Sequence, residues 1–177
     1  AIEQNRIMDT LQEVSVQAGD TFYIPAGTVH ALCAGVLVAE IQQNSDTTYR
    51  LYDYDRPGLD GKPRELHIED SLNVTAYEGA GATRMKTDGA KPNEWLTLAE
   101  SPYFITDKGV VNGSWKQETS PVSFDILIVA EGKGSIGWGT ESIDAKAGDC
   151  FLLPATLGAY SLDGSFTVLR SRVPGTN

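Results

Sequence analysis

The chain has 177 residues, 41% of them apolar, with 18 glycines and 8 prolines, which suits one large or two small turn-rich domains with a real core. Its 14 basic and 24 acidic side chains leave a formal charge of −10, which argues against nucleic acid, a polyanion bound by surplus Lys and Arg on one face. Cys33 and Cys150 form no CxxC and no disulfide framework, and no apolar run approaches the ~20 residues of a membrane span. The opening AIEQNRIMDT has neither the basic nor the apolar region of a secretory signal, and it lacks an initiator Met. The expectation is a cytoplasmic protein with no nucleic-acid or membrane partner, starting partway through a longer one.

In chain order, turn signals recur at short intervals: AGD (18–20), PAG (25–27), RPGLDGKP (56–63), EGAGA (78–82), DGAKPN (88–93), EGKG (131–134), AGD (147–149) and DG (163–164). Between them lie runs rich in β-branched and aromatic residues, namely TFYI, VLVAEIQ, TTYRLYDY, PYFITD, SFDILIVA and CFLLP. Many short strands separated by Gly and Pro predict an all-β sandwich or barrel. The clearest helix signal is ELHIEDSLNVTA at 65–76, where Leu66, Ile68 and Leu72 form an apolar face. It is short and joins two β units, 1–77 and 78–177. His67 on it reads as a surface or packing histidine.

An internal repeat carries the most information. VQAGDTFYIPAGTVHAL (16–32) recurs as AKAGDCFLLPATLGAYS (145–161), aligning Gly19 with Gly148, Asp20 with Asp149, Phe22 with Phe151 and Pro25 with Pro154. Further on, Gly35 aligns with Gly164, each before an apolar strand. The copies differ where chemistry would sit, since His30 aligns with Ala159.

GD-x-F-x-x-P-x-G-x-x-H resembles the second conserved motif of the cupins, in which a proline turn aims a histidine into a jelly-roll barrel. VAEIQQNSDTTYRLYDYDRPGLDGKPRELHIEDSL (38–72) closely resembles the type I, zinc-dependent mannose-6-phosphate isomerases of the bacterial short form. The resemblance implies an all-β, cupin-type fold: part of a first, catalytic cupin at 1–77, a short linker helix, and a degenerate second cupin at 78–177. It implies interconversion of mannose 6-phosphate and fructose 6-phosphate. Members of that family bind Zn2+ with a Gln-x-His motif and a glutamate on upstream strands, besides the histidine of the proline turn. No Gln-x-His-Pro segment occurs here. The expectation is therefore a C-terminal portion, with residues 1–77 covered by an upstream segment or another chain. A non-catalytic sugar- or partner-binding cupin module is the alternative.

Isomerisation of a phosphorylated hexose passes a proton between C1 and C2 through an enediolate, which needs a base, an electrophile and a hold on the phosphate. His30 is the expected metal ligand, since neutral imidazole binds zinc well. Arg50 matches the arginine treated as catalytic in the family, and its planar charge suits an enediolate oxygen; pairing with Asp53 or Asp55 is the alternative. Asp46 matches a polar active-site position, with a turn role in QNSD as its alternative. Strand alternation over Val38–Gln43 puts Val38, Glu40 and Gln42 on one face, which makes Glu40 a candidate acid/base or zinc-side residue. Tyr49 and Tyr52 read as packing residues. Arg56, Lys62 and Arg64 form a basic loop suited to phosphate or simply to solvent.

Overall fold

The computed structural model describes residues 2–4, 6–54, 56–78 and 81–175. Asp55, one of the two carboxylates expected near Arg50, lies outside the described residues, as does the Gly79–Ala80 part of the predicted EGAGA turn. The chain divides into two compact units, Ala1–Ala34 with Asn44–Thr83, and Gly35–Gln43 with Arg84–Asn177.

The second unit is the all-β roll that the turn spacing predicts. Its strands are β3 (Trp95–Glu100), β4 (Ile105–Glu118), β5 (Asp125–Trp138), β6 (Glu141–Lys146), β7 (Cys150–Leu153) and β8 (Ala159–Arg172). They form one antiparallel sheet in the order β3-β4-β8-β5-β6, with β7 also pairing with β5. Three of the strands run for 14 residues. Along β8, Tyr160, Leu162, Phe166 and Val168 are buried at every second position, as a half-buried strand requires. Residues from both halves of these long strands pack into a single cluster with Val111, Leu127, Val129, Ile136, Ala145 and Leu153, so the sheet curls over itself.

The curl has a visible cause. Gly113 lies opposite Gly164, and Gly164 lies opposite Gly134, so one row across β4, β8 and β5 carries no side chain. A Cβ on Gly164 would sit 2.6 Å from the Gly134 Cα, and its φ of +136° favours glycine. Beside this row, the β5–β8 register shifts between Val129 and Glu131, a bulge that adds one residue and reverses which parity faces inward. Leu127 and Val129 point inward before it, and Ile136 after it. Simple alternation read through SFDILIVAEGKG would have missed that reversal.

The first unit holds turns and little regular structure. It contains short 3-10 turns at Ile2–Gln4 and Ile7–Thr10, the two-residue strand β1 (Phe22–Tyr23) and the helix α1 (Ile68–Val74), and a second two-residue strand, β2 (Thr83–Arg84), lies at its boundary. The predicted run TTYRLYDY forms no strand here and TFYI is reduced to β1; VLVAEIQ, which groups with the second unit, forms none either. Strands need a neighbour for their backbone groups, whereas a turn closes on itself. Helix α1 falls inside the predicted 65–76, but its expected apolar face is not buried. Ile68 is 38% exposed and Leu72 42%, while Ser71 is the buried residue. Among the described residues, no helix is long and apolar enough to cross a membrane.

The two repeat copies carry the same turn. In each, the Asp side chain accepts the backbone N–H three residues back, at 2.8 Å for Asp20 with Gln17 and 2.9 Å for Asp149 with Lys146. Gly19 and Gly148 share a φ of +93°. The proline turns match as well, with Thr28 N–H on the Pro25 carbonyl (3.2 Å) and Leu157 N–H on that of Pro154 (2.9 Å).

Gly164→Ala is expected to destabilise the second unit by about 1–3 kcal/mol, because the new Cβ meets backbone that cannot move aside. Gly148→Ala, with nothing within 4 Å of its Cβ, should cost less despite its positive φ. Urea unfolding of the two variants checks this, and equal midpoints would refute the close approach as the cause of the curl.

Candidate functional site

His30 stands exposed at the end of the proline turn. Its Nδ1 lies 2.8 Å from the Thr28 carbonyl oxygen. A carbonyl only accepts, so Nδ1 carries the hydrogen and Nε2 keeps its lone pair. This hydrogen bond is the arrangement that fixes the tautomer of metal-binding histidines. His30 thus fits the role of one zinc ligand. The described residues hold no group of three or more His, Cys, Asp or Glu able to close a metal shell by themselves.

Arg50 is half-buried and tied down at both backbone groups. Its N–H donates to His67 Nδ1 (3.2 Å), and its carbonyl accepts the His67 N–H (2.8 Å). Its guanidinium donates from Nη1 to the Glu65 carbonyl (3.0 Å) and lies 3.9 Å from Asp53. Of the two alternatives open in the sequence, pairing with Asp53 is present, but long. His67 is more than a surface histidine, because it holds the arginine's backbone.

Asp53 organises the basic loop. Its buried carboxylate receives a two-bonded fork from Arg64, through Nε at 2.6 Å and through Nη2, and a bond from Arg56 Nη2 at 3.1 Å. The fork from Arg64 holds the carboxyl down at about 2, against the opposing effect of burial and with help from Arg56. The chain between Arg56 and Arg64 closes as a tight loop, with Gly58 N–H on the Lys62 carbonyl at 2.7 Å. The cavity beside this clamp, lined by Tyr52, Asp53, Arg56, Pro63, Arg64 and Leu66, measures about 50 Å³, room for a few waters and no sugar. Arg56 and Arg64 are therefore engaged by a carboxylate in this structure, rather than free for phosphate. Nothing in the sequence pattern singled out Asp53 for that role, although RPGLDGKPR marked its cations.

Asp46 lies exposed in a bend, where it accepts the Thr47 hydroxyl at 3.3 Å, and Ser45 Oγ accepts the Thr47 N–H at 3.1 Å. The side chain that closes this bend is thus Ser45, not Asp46. Glu40 is exposed, and the stretch 38–43 forms no strand, so the face it was expected to share with Val38 and Gln42 does not exist as a sheet face. Glu40 groups with the second unit; His30, Asp46 and Arg50 group with the first.

The second unit has no histidine. One end of its interior is occupied by charge. Asp107, 1% exposed, accepts bonds from Arg170 (2.8 and 3.2 Å), Arg172 (3.1 Å) and Thr97 (2.8 Å). Burial pushes its carboxyl up, but the bonds from Arg170, Thr97 and Arg172 prevail and hold it below the ordinary carboxylate value. Nearby Asp125 is pushed the other way, mainly by burial. The Arg170 guanidinium also stacks 4.1 Å over the Trp95 ring.

Comparison with known proteins bears on both units. Residues 94–173 match the model of the mannose-6-phosphate isomerase cupin domain. The chain is 42% identical over 167 residues to mannose-6-phosphate isomerase ManA of Bacillus subtilis, covering 92% of this chain and 52% of that protein. It is 39% identical over 165 residues to the mannose-6-phosphate isomerase of Streptococcus mutans, covering 91% and 51%. The chain thus spans about half the length of these relatives. The crystal structure of a Bacillus subtilis mannose 6-phosphate isomerase superposes with a TM-score of 0.64 at 33% identity, over 74% of this chain and 42% of that one. The all-β roll of the second unit is a cupin-type jelly roll.

Arg64→Ala is expected to raise the Asp53 carboxyl towards its ordinary 3.8. Because the native value lies below that of the unfolded chain, the clamp's stabilisation is complete above about pH 4 and is lost as pH falls through about 2. A carboxyl-carbon NMR titration reads this directly; an Asp53 titrating near 4 in the unmodified chain would refute the clamp.

Proposed function

We propose that this chain, a relative of the mannose-6-phosphate isomerases with that family's cupin domain at residues 94–173, is the C-terminal part of an isomerase interconverting mannose 6-phosphate and fructose 6-phosphate. The observation that carries this reading is the His30 turn, whose Nδ1–H on the Thr28 carbonyl turns the Nε2 lone pair outward. The further metal ligands would come from a segment upstream of these residues, and that segment would also supply strand partners for the first unit. The exposed side chains of Val14, Val16 and Leu32 support that reading, as does a unit rich in turns with hardly a strand.

Zinc at His30 would supply an electrophile for the oxygen that gains charge as the enediolate forms. The chain's own residues do the rest of the work. Arg50 offers a permanently charged, planar donor to the same developing charge. Its backbone is fixed before substrate arrives, so no ordering cost falls on the reaction itself. Glu40 is the candidate for shuttling the proton between C1 and C2, and Asp46 for hydrogen bonding a sugar hydroxyl. The ligand class is a phosphorylated hexose and the compartment the cytoplasm.

Two measurements test the reading. Residues 1–177 alone should bind zinc weakly and turn over no sugar phosphate, because one histidine does not close a three-ligand shell; sub-micromolar zinc binding by calorimetry would sink it. In a protein of the relatives' full length, Arg50→Ala should lower kcat about 100- to 1,000-fold with metal content unchanged, as removing an oxyanion donor does. His30→Ala should lose metal and activity together. Near-normal turnover in Arg50→Ala would make Arg50 a structural ion-pair residue.

A further inference from the structure

Helix α1 is placed by its ends rather than by its face. Its apolar side chains Ile68, Leu72 and Val74 are 38–52% exposed, so burial within the unit does not explain where it sits. At its N-terminal end His67 satisfies both backbone groups of Arg50, residues 17 apart in sequence, and its own carbonyl accepts the Ser71 N–H at 2.8 Å. At the other end the Ala76 N–H donates to the Gly27 carbonyl at 2.9 Å, inside the proline turn that carries His30. Gly27 has a φ of +82°, and a Cβ there would fall 2.7 Å from the Val74 carbonyl oxygen, so the turn abuts the helix end.

We propose that helix α1 is a strut that fixes the arginine and the histidine turn in mutual position, with His67 as a positioning residue for Arg50. The proposal rests on the reading of Arg50 and His30 as working residues given above. Seven helical residues, a rigid span of about 10 Å, separate the two attachment points. Arg50 lies in a stretch with no strand partner, so His67 replaces the ladder that would otherwise hold its backbone. The bond also prescribes chemistry. Because Nδ1 accepts the Arg50 N–H, His67 must carry its hydrogen on Nε2, the opposite tautomer from His30.

Tautomer and amide exchange can be read by NMR in the 177-residue chain. The expected result is an unprotonated His67 Nδ1 and a protected Arg50 amide. His67→Leu should speed exchange at Arg50 about tenfold, the equivalent of one lost hydrogen bond. His67→Asn should retain protection, since its Oδ1 stands where Nδ1 stood. In the full-length protein, His67→Leu should lower kcat with KM and metal content little changed, and His67→Asn should restore it. Gly27→Ala should reduce metal content instead, because it displaces the other end. A protonated His67 Nδ1, or an Arg50 amide that exchanges equally in His67→Leu and the unmodified chain, overturns the strut. If Arg50→Ala leaves turnover intact while the tautomer and exchange results hold, the strut stands and only the catalytic reading of Arg50 fails.

Discussion

The roll of the second unit depends on backbone meeting backbone at one row of glycines. Gly113, Gly164 and Gly134 lie opposite one another across three 14-residue strands. The close approach is between β8 and β5: a Cβ on Gly164 would stand 2.6 Å from the Gly134 Cα, whereas one on Gly113 would meet nothing within 4 Å. Without the row, long strands would stay a twisted, open sheet with one apolar face in water. With it, Tyr160 and Leu162 on one side of the crease reach the same cluster as Phe166 and Val168 on the other. The closest analogue at the sheet's margin is Gly109, where the rings of Trp95 and Trp115, tilted by 41° with centroids 4.6 Å apart, fill the space of the missing side chain. Gaps in the side-chain pattern thus decide the shape, and the apolar residues then fill it.

The repeat separates what is local in the sequence from what is not. The AGD and PAx turns form in both copies with nearly the same hydrogen bonds, because each is closed by residues within three positions of one another. That is why turns were legible throughout. The strands flanking them behave differently. Cys150–Leu153 pairs with β5, whereas the corresponding run in the first copy shortens to Phe22–Tyr23. Val36–Gln42 has as strong a strand composition as Phe166–Arg172, yet forms none. Strand propensity describes fitness for a paired surface, and composition cannot report whether a partner is present. The bulge at Val129–Glu131 is a further illustration: the inward parity changes partway along one strand, and only the pairing reveals it.

The two units also differ in how charge is handled. In the second, where Ala159 replaces the histidine of the first copy, one interior end is closed by Asp107 between Arg170 and Arg172. Such a cluster holds together only as a whole, since removing one cation strands a buried carboxylate. The phenol of Tyr160 is buried beside it, without a hydrogen bond of ordinary geometry, and is pushed well above its usual value by burial. Motif reading did not single these groups out: Arg170 and Arg172 stand two apart on one strand, but the carboxylate they share lies more than sixty residues earlier in the chain. Register alone assembles them, with Asp107 opposite Arg170 in the β4–β8 ladder.

In the first unit, motif reading singled out His30 and Arg50 but not the contacts that surround Arg50. Residues 50–65 carry four basic and four acidic side chains, an electrically even stretch in a chain of −10. Within it, Asp53 is answered at close range by Arg64 and Arg56. Arg50 is left with a single bond to the Glu65 carbonyl and a 3.9 Å approach to Asp53, too long for a hydrogen bond. The division matters on the proposed reading. A guanidinium locked in a buried fork would have to break two strong bonds before it met a developing oxyanion. One that is held by its backbone, through His67, and only loosely by its head group is already in place and still free to donate. On that reading Arg64 and Arg56 contribute indirectly, by occupying the Asp53 carboxylate so that its pull on Arg50 is weak.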